Sequence, residues 1–254
     1  MITLASDFGA YYPAAMKGVI LRETDARLVD VGHDFPRQDV RSAAFWLREV
    51  LVTFPPAVHL VVVDPGVGTD RAALVVRAGE HALVGPDNGV LVPAARRLAG
   101  EASIESFTIA VDDPASHTFH GRDVFAPAAA RVHEAGVDQL DALAWLDSAE
   151  SVVDLAFPEP TVDAEGATGE VLVVDGFGNA VTNLPGELLD GRWGGSVEVD
   201  GESAPARRSY AMVAPGERLV TVGSHGSVEL AANQGRGVEA FEVSVGSPVR
   251  LTWS

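Results

Sequence analysis

The first part of the chain alternates short apolar runs with segments of helical periodicity, and this rhythm restricts the fold more than any other feature. "MITLAS" (1–6) reads as a strand and "AAMKGVILRE" (14–23) as a helix-compatible stretch. "ARLVDV" (26–31) is a second strand. "DVRSAAFWLREVLVTF" (39–54) carries apolar residues at helical spacing, with Asp39 placed to cap it. "AVHLVVVD" (57–64) is a valine-rich third strand, "AALVVRA" and "HALVGP" (72–78 and 81–86) form a hairpin pair, and "GVLVPAARRLA" (89–99) returns to helix. Such repetition predicts an α/β fold, a largely parallel sheet with helices outside. Ligands of these sheets gather beyond the strand carboxyl ends. Asp7 and Asp64 follow the first and third strands at that edge.

After "LAFPEPTV" (155–162) the texture changes, and Pro158 and Pro160 read as a linker. "GEVLVVDGFGNAVTNL", "GSVEVDG", "ERLVTVGSHGSVELAAN" and "SPVRLTWS" are short strands broken by turns, which suits a small β-domain of barrel or sandwich type. Two domains are therefore expected, 1–160 and 161–254.

Composition narrows the function classes. The chain has 254 residues, 36 acids against 18 bases and a formal charge of −18, so its surface repels nucleic-acid phosphates. No apolar run approaches a membrane span, and "MITLASDFG" lacks the basic start of a signal peptide. Cysteine is absent, which excludes disulfides and thiolate metal sites. A soluble, cytoplasmic protein is expected, without nucleic-acid or membrane partners. Lys17 is the sole lysine beside the arginines. Either codon bias left it by chance, or "MKG" requires a lysine.

The loop "DPGVGTDR" (64–71) is not a phosphate-binding P-loop, because no Gly-Lys-Ser/Thr follows, and no G-x-G-x-x-G opens a helix elsewhere. Taken alone, Asp64 is a turn former and Arg71 a surface base. "HTFHGRDVFAPAAARV" (117–132) sets His117, His120, Arg122 and Asp123 ahead of a helical run. His117 and His120 lack a carboxylate at helical spacing and no H-E-x-x-H occurs, so no metal site and no cofactor are expected. "VVDGFGNAVTNL" (173–184) joins an aromatic to amide and carboxylate groups in a glycine-rich turn; this suits a base-binding pocket or a plain β-turn. "GPDNGVL" (85–91) has the same ambiguity.

Taken in order, "SDFG", "MKGVI", "DVGHD", "VVVDPGVGTDR", "VGPDNGVL", "TFHGRDVFAPAAA", "VVDGFGNAVTNL" and "VGSHGSVELAAN" resemble the S-adenosyl-L-methionine hydroxide adenosyltransferases, the hydrolytic relatives of fluorinase and chlorinase. The resemblance implies an N-terminal α/β domain with a C-terminal β-barrel, assembled as a homotrimer with sites between subunits. It implies hydrolysis of S-adenosylmethionine to adenosine and L-methionine. The family's catalytic trio falls on Asp64, Arg71 and His120, and its ribose-holding carboxylate on Asp7. Its adenine pocket falls on Asp175, Phe177 and Asn179, and the methionine end on Ser224 and Glu229. Halide-using relatives replace the loop aspartate with an aromatic and lack the histidine, so a halide-using adenosyl transferase is the disfavoured alternative. A non-catalytic adenosine-binding or S-adenosylmethionine-binding protein is the alternative from another class. "AYYPAA", between "SDFG" and "MKG", is shorter than the family's usual segment. Tyr11 and Tyr12 either fill that loop or belong to the core.

Overall fold

A computed structural model describes residues 1–110 and 118–253. His117 lies outside the described residues. The chain divides into two compact units, Met1–Ala156 and Phe157–Ser254.

The first unit holds seven strands: β1 (Ile2–Ser6), β2 (Leu28–Gly32), β3 (Val58–Val62), β4 (Ala73–Ala78), β5 (His81–Pro86), β6 (Glu105–Ile109) and β7 (Leu146–Ser148). They lie in the order β2-β1-β3-β5-β4-β6-β7. The pairs β2–β1, β1–β3 and β3–β5 are parallel, whereas β5–β4, β4–β6 and β6–β7 are antiparallel. The sheet is thus mixed, and the expectation of a largely parallel one is corrected. Only Gly79 and Glu80 separate β4 from β5, and Gly79 takes φ +58°. A parallel connection needs a crossover of about a dozen residues, so this turn can only close a hairpin. The hairpin itself is the one predicted.

Helices α1 (Tyr12–Glu23), α2 (Val40–Val50), α3 (Val92–Ala99) and α4 (Ala126–Ala135) pair as α1 with α4 and α2 with α3. Asp39 caps α2 by accepting from the Ser42 N–H at 2.9 Å. Ile2, Leu4, Leu60, Val62, Val75 and Val84 form one core with Met16 and Ile20 of α1 and Ala129 and Val132 of α4. The alternate residues Val61, Leu74, Val76 and Leu83 are buried on the opposite face. Burial on both faces explains why these strands read as continuous apolar runs.

A polar line runs through this sheet. Thr3 Oγ1 meets His59 Nδ1 at 2.7 Å, and His59 Nε2 meets His81 Nδ1 at 2.9 Å. Burial, and secondarily His81, pushes the His59 pKa down to about 3.

The second unit contains β8 (Thr161–Val162), β9 (Gly166–Val174), β10 (Ala180–Pro185), β11 (Ser196–Val199), β12 (Glu202–Pro205), β13 (Arg218–Val222), β14 (Ser227–Ala232) and β15 (Pro248–Thr252). Its antiparallel sheet runs β12-β11-β15-β9-β10-β14-β13, with β8 paired to β9. An Ala206–Val220 bridge after β12 brings the chain back to β13, so the sheet nearly closes on itself. Val171, Leu184, Val197, Val220, Leu230 and Leu251 fill the interior. Among the described residues, no helix is long and apolar enough to cross a membrane.

Candidate active site

Beyond β3 the chain turns sharply through Asp64-Pro65-Gly66, and Arg71 folds back onto Asp64. Arg71 Nε donates to Asp64 Oδ1 at 2.8 Å, and Nη2 donates to Asp64 Oδ2. The loop permits this because Gly66 is small: a Cβ there would stand 3.2 Å from Arg71 Cγ and 3.7 Å from Asp64 Oδ1. Thr69 Oγ1 donates to the Gly66 carbonyl at 2.6 Å, and Gly68 takes φ +79°. The Asp64 and Arg71 side chains are only 4% and 11% exposed. A desolvated pair of this kind depends on both partners, and losing either leaves a stranded charge, at a cost of about 3–5 kcal/mol.

His120 reaches the pair from a distant segment. It precedes a π-helical turn, Gly121–Phe125, that leads into α4. At Gly121 a Cβ would lie 3.4 Å from Val62 Cγ1 and 3.0 Å from Met16 Sδ, so glycine lets this turn pack on the end of β3. His120 Nδ1 then sits 2.9 Å from Arg71 Nη2. A guanidinium only donates, so Nδ1 must be the acceptor and a neutral His120 carries its proton on Nε2. Arg71 Nη1 also donates to the Ala72 carbonyl at 3.3 Å, and its guanidinium lies 5.0 Å from the Phe125 ring centroid. Nε uses one N–H, Nη2 two and Nη1 one. Among the described residues, one Nη1–H of Arg71 remains for a further acceptor.

Asp7 follows β1, the parallel neighbour of β3, and Ser6 is in register with Val62. Its carboxylate is buried and its Oδ2 accepts from the Gln38 N–H at 2.7 Å. Gln38 takes φ +60°, a conformation uncommon for a residue with a Cβ. Asn88 of "GPDNGVL" secures the Asp64 strand end, its Nδ2 donating to the Val63 carbonyl at 2.9 Å. Tyr11 is 89% exposed, and Tyr12 packs edge-on against Phe8 and Phe119. Neither tyrosine belongs to the core.

In the second unit the β9–β10 turn is organised by Asp175. Its Oδ1 accepts from the N–H groups of Phe177 and Asn179 at 2.9 and 2.8 Å, and its Oδ2 from Asn179 Nδ2 at 2.9 Å. Phe177 is left 82% exposed on the turn. Asn179 Nδ2 is 3.5 Å from Tyr210 Oη, which donates to Glu229 Oε2 at 2.8 Å. His225 Nε2 lies 3.0 Å from Glu229 Oε1, and its Nδ1 accepts from the Ser227 N–H at 3.3 Å. Burial first, then Glu229 and Asp175, raises the Tyr210 pKa above its usual value, so it stays a hydroxyl donor. Ser224 is exposed beside His225 on the β13–β14 turn.

Residues 2–143 match the model of the SAM hydroxide adenosyltransferase N-terminal domain, and residues 169–250 match that of the C-terminal domain. The chain belongs to the SAM hydroxide adenosyltransferase family. A Salinispora tropica protein named (R)-S-adenosyl-L-methionine hydrolase is 41% identical, covering 99% of this chain and 97% of its own. A Thermus thermophilus protein of the same name is 42% identical over 97% of each. The crystal structure of an uncharacterized conserved protein from Thermotoga maritima superposes with a TM-score of 0.84 at 33% identity over the whole of both chains.

Within this adenosyltransferase, Asp64, Arg71 and His120 form one hydrogen-bonded line. Asp7 stands at the neighbouring strand end. Asp175, Asn179 and Glu229 are linked in the second unit, with Phe177 and Ser224 exposed on its turns. Sequence reasoning missed Tyr210 and His225, which link or flank Asn179 and Glu229. "RRSYAMV" has no recognisable pattern; "SHGSVE" at least places His225 four residues before Glu229. Among the described residues, no three His, Asp or Glu side chains converge as a metal-ligand set.

Proposed function

We propose that the chain hydrolyses S-adenosyl-L-methionine to adenosine and L-methionine by attack of water at the ribose C5′. The observation that carries this reading is the Asp64–Arg71–His120 line at the end of β3. The leaving thioether is neutral and needs no general acid; the difficulty is the nucleophile, since water is scarcely ionised at neutral pH.

The hydrogen bonds order the roles. A proton on His120 Nδ1 would oppose the Arg71 N–H already there, so His120 acts through Nε2–H as a donor that orients the nucleophile. Each Asp64 oxygen accepts from Arg71 and keeps another lone pair, so Asp64 takes the proton from water. The remaining Arg71 Nη1–H stabilises the developing hydroxide. The water oxygen forms its bond to C5′ as the C5′–S bond breaks, and that electron pair goes to sulfur and discharges the sulfonium. The proton passes to Asp64 and then to solvent. Holding water and C5′ in line supplies roughly 7–11 kcal/mol of the barrier reduction.

Asp7 binds the ribose hydroxyls with the oxygen that Gln38 leaves open. Phe177 stacks on adenine and Asn179 reads its edge, presented by a neighbouring copy in a homotrimer. Glu229 fixes Tyr210 and His225, and with Ser224 shapes the methionine end. The reaction is cytoplasmic and uses no metal or cofactor. Turnover in ¹⁸O-labelled water tests the reading: the label must appear on the adenosine 5′-oxygen, and unlabelled adenosine or no adenosine refutes it.

A further inference from the structure

Beside Asp7 lies a second polar chain that the proposed chemistry leaves unused. Lys17 Nζ of α1 donates to Asp30 Oδ2 of β2 at 2.6 Å. Asp30 Oδ1 lies 3.0 Å from His33 Nε2, and His33 Nδ1 lies 2.7 Å from Ser6 Oγ. The direction of each bond follows from the inventory of donors. An ionised carboxylate only accepts, so Nε2 carries the His33 proton. In the neutral ring Nδ1 then presents a lone pair, and the Ser6 hydroxyl donates into it. Burial alone would raise the Asp30 pKa, but the hydrogen bonds from Lys17 and His33, with the Lys17 charge, outweigh it and hold it below the usual carboxylate value.

This serine–histidine–aspartate order invites comparison with a nucleophilic triad, but Ser6 is fully buried and closed to substrate. Its position in the chain suggests a different task. Ser6 ends β1 and precedes Asp7 directly, while the Gly9 N–H donates to the His33 carbonyl at 2.8 Å. His33 therefore holds the chain on both sides of Asp7, by its ring at the Ser6 hydroxyl and by its carbonyl at the Gly9 N–H. Gly9 takes φ +75°, which glycine adopts at no steric cost, and this lets the turn after Asp7 present its N–H to the His33 carbonyl. The Lys17 ammonium anchors the far end, which gives the sole lysine a role.

We propose that Lys17, Asp30, His33 and Ser6 form a positioning relay that holds Asp7 in the geometry required by the ribose. The proposal rests on the reading of Asp7 as the ribose carboxylate. Because the relay acts through Asp7 and not on the water, it governs nucleoside affinity and leaves the chemical step nearly intact.

The test compares full-length parent, Lys17→Met, Lys17→Arg, His33→Ala and Asp7→Ala in adenosine and 2′-deoxyadenosine titrations and in steady-state turnover of S-adenosylmethionine. Lys17→Met and His33→Ala should weaken adenosine binding and raise KM about tenfold, the loss of one charge-assisted hydrogen bond. They should also narrow the preference for adenosine over 2′-deoxyadenosine. Saturated kcat should change far less, and Lys17→Arg should lie nearer the parent than Lys17→Met. Lys17 is partly exposed on α1, so its variants fold even where His33→Ala does not. If Asp7→Ala weakens adenosine but the Lys17 variants bind as the parent does, the relay is refuted alone. If Asp7→Ala also binds adenosine like the parent, the ribose reading fails and takes the relay with it. A fall in kcat at unchanged KM would likewise overturn the relay.

Discussion

Arg71 holds both carboxylate oxygens of Asp64, and the same Nη2 lies 2.9 Å from His120 Nδ1. One guanidinium thus joins two groups that could compete for a proton, and it withdraws Nδ1 from that competition. Residues joined this way should fail together when one is changed.

Asp64→Asn and His120→Ala should each lower kcat by about 10²–10⁴-fold, with adenosine affinity little altered. The double variant should be scarcely slower than the poorer single one, because members of one unit are not additive. Single-turnover kinetics with parallel adenosine titration checks both statements. Additive losses, or losses carried by binding, would separate the residues.

Asp7→Ala should weaken adenosine binding by about 1.5–3 kcal/mol, the range for a hydrogen bond to a charged group. Calorimetric titration should also find that the variant scarcely distinguishes adenosine from 2′-deoxyadenosine. A preserved ribose preference would move the sugar site elsewhere.

Assembly can be tested by complementation. If a site combines Asp64 of one copy with Asp175 of a neighbour, Asp64→Asn and Asp175→Ala are each inactive alone. Dissociated, mixed and reassembled, they should regain turnover in the sites that unite intact halves. No regained turnover in mixed oligomers of the trimer size, judged by light scattering, would place each site within one copy.

His59 makes stability depend on pH in a defined sense. Its folded-state pKa is depressed to about 3 from 6.5, so the unfolded chain binds a proton that the folded one refuses. The contribution is fully present above pH 6.5 and is lost as pH falls from there toward 3. His81, also lowered by burial, acts in the same direction. Thermal unfolding of the parent should lose more Tm across that window than His59→Gln does. Parallel curves would acquit His59.

The local signals were legible where one element carries them. The valine run before Asp64, the Asp39 cap and the β4–β5 hairpin all follow from patterns within a few residues. The largely parallel reading fails at β6 and β7, short strands with no clear alternation that extend the β4–β5 hairpin antiparallel from segments distant in sequence. Asp64 and Arg71 share one motif, so their meeting could be anticipated. The meeting of Tyr210 with Glu229, or of Lys17 with Asp30 and His33, depends on strand register and helix packing that no local pattern encodes.

Asp64 and Arg71 stand seven positions apart, whereas His120 lies 49 beyond Arg71. Closing so short a loop costs little chain entropy, and the glycines already bend it, so the ion pair can form while most of the chain is still searching. His120 can join only after α4 and its preceding turn have docked on the sheet. During refolding, recovery of turnover should therefore follow that late docking, and an intermediate with its ion pair closed should still be inert.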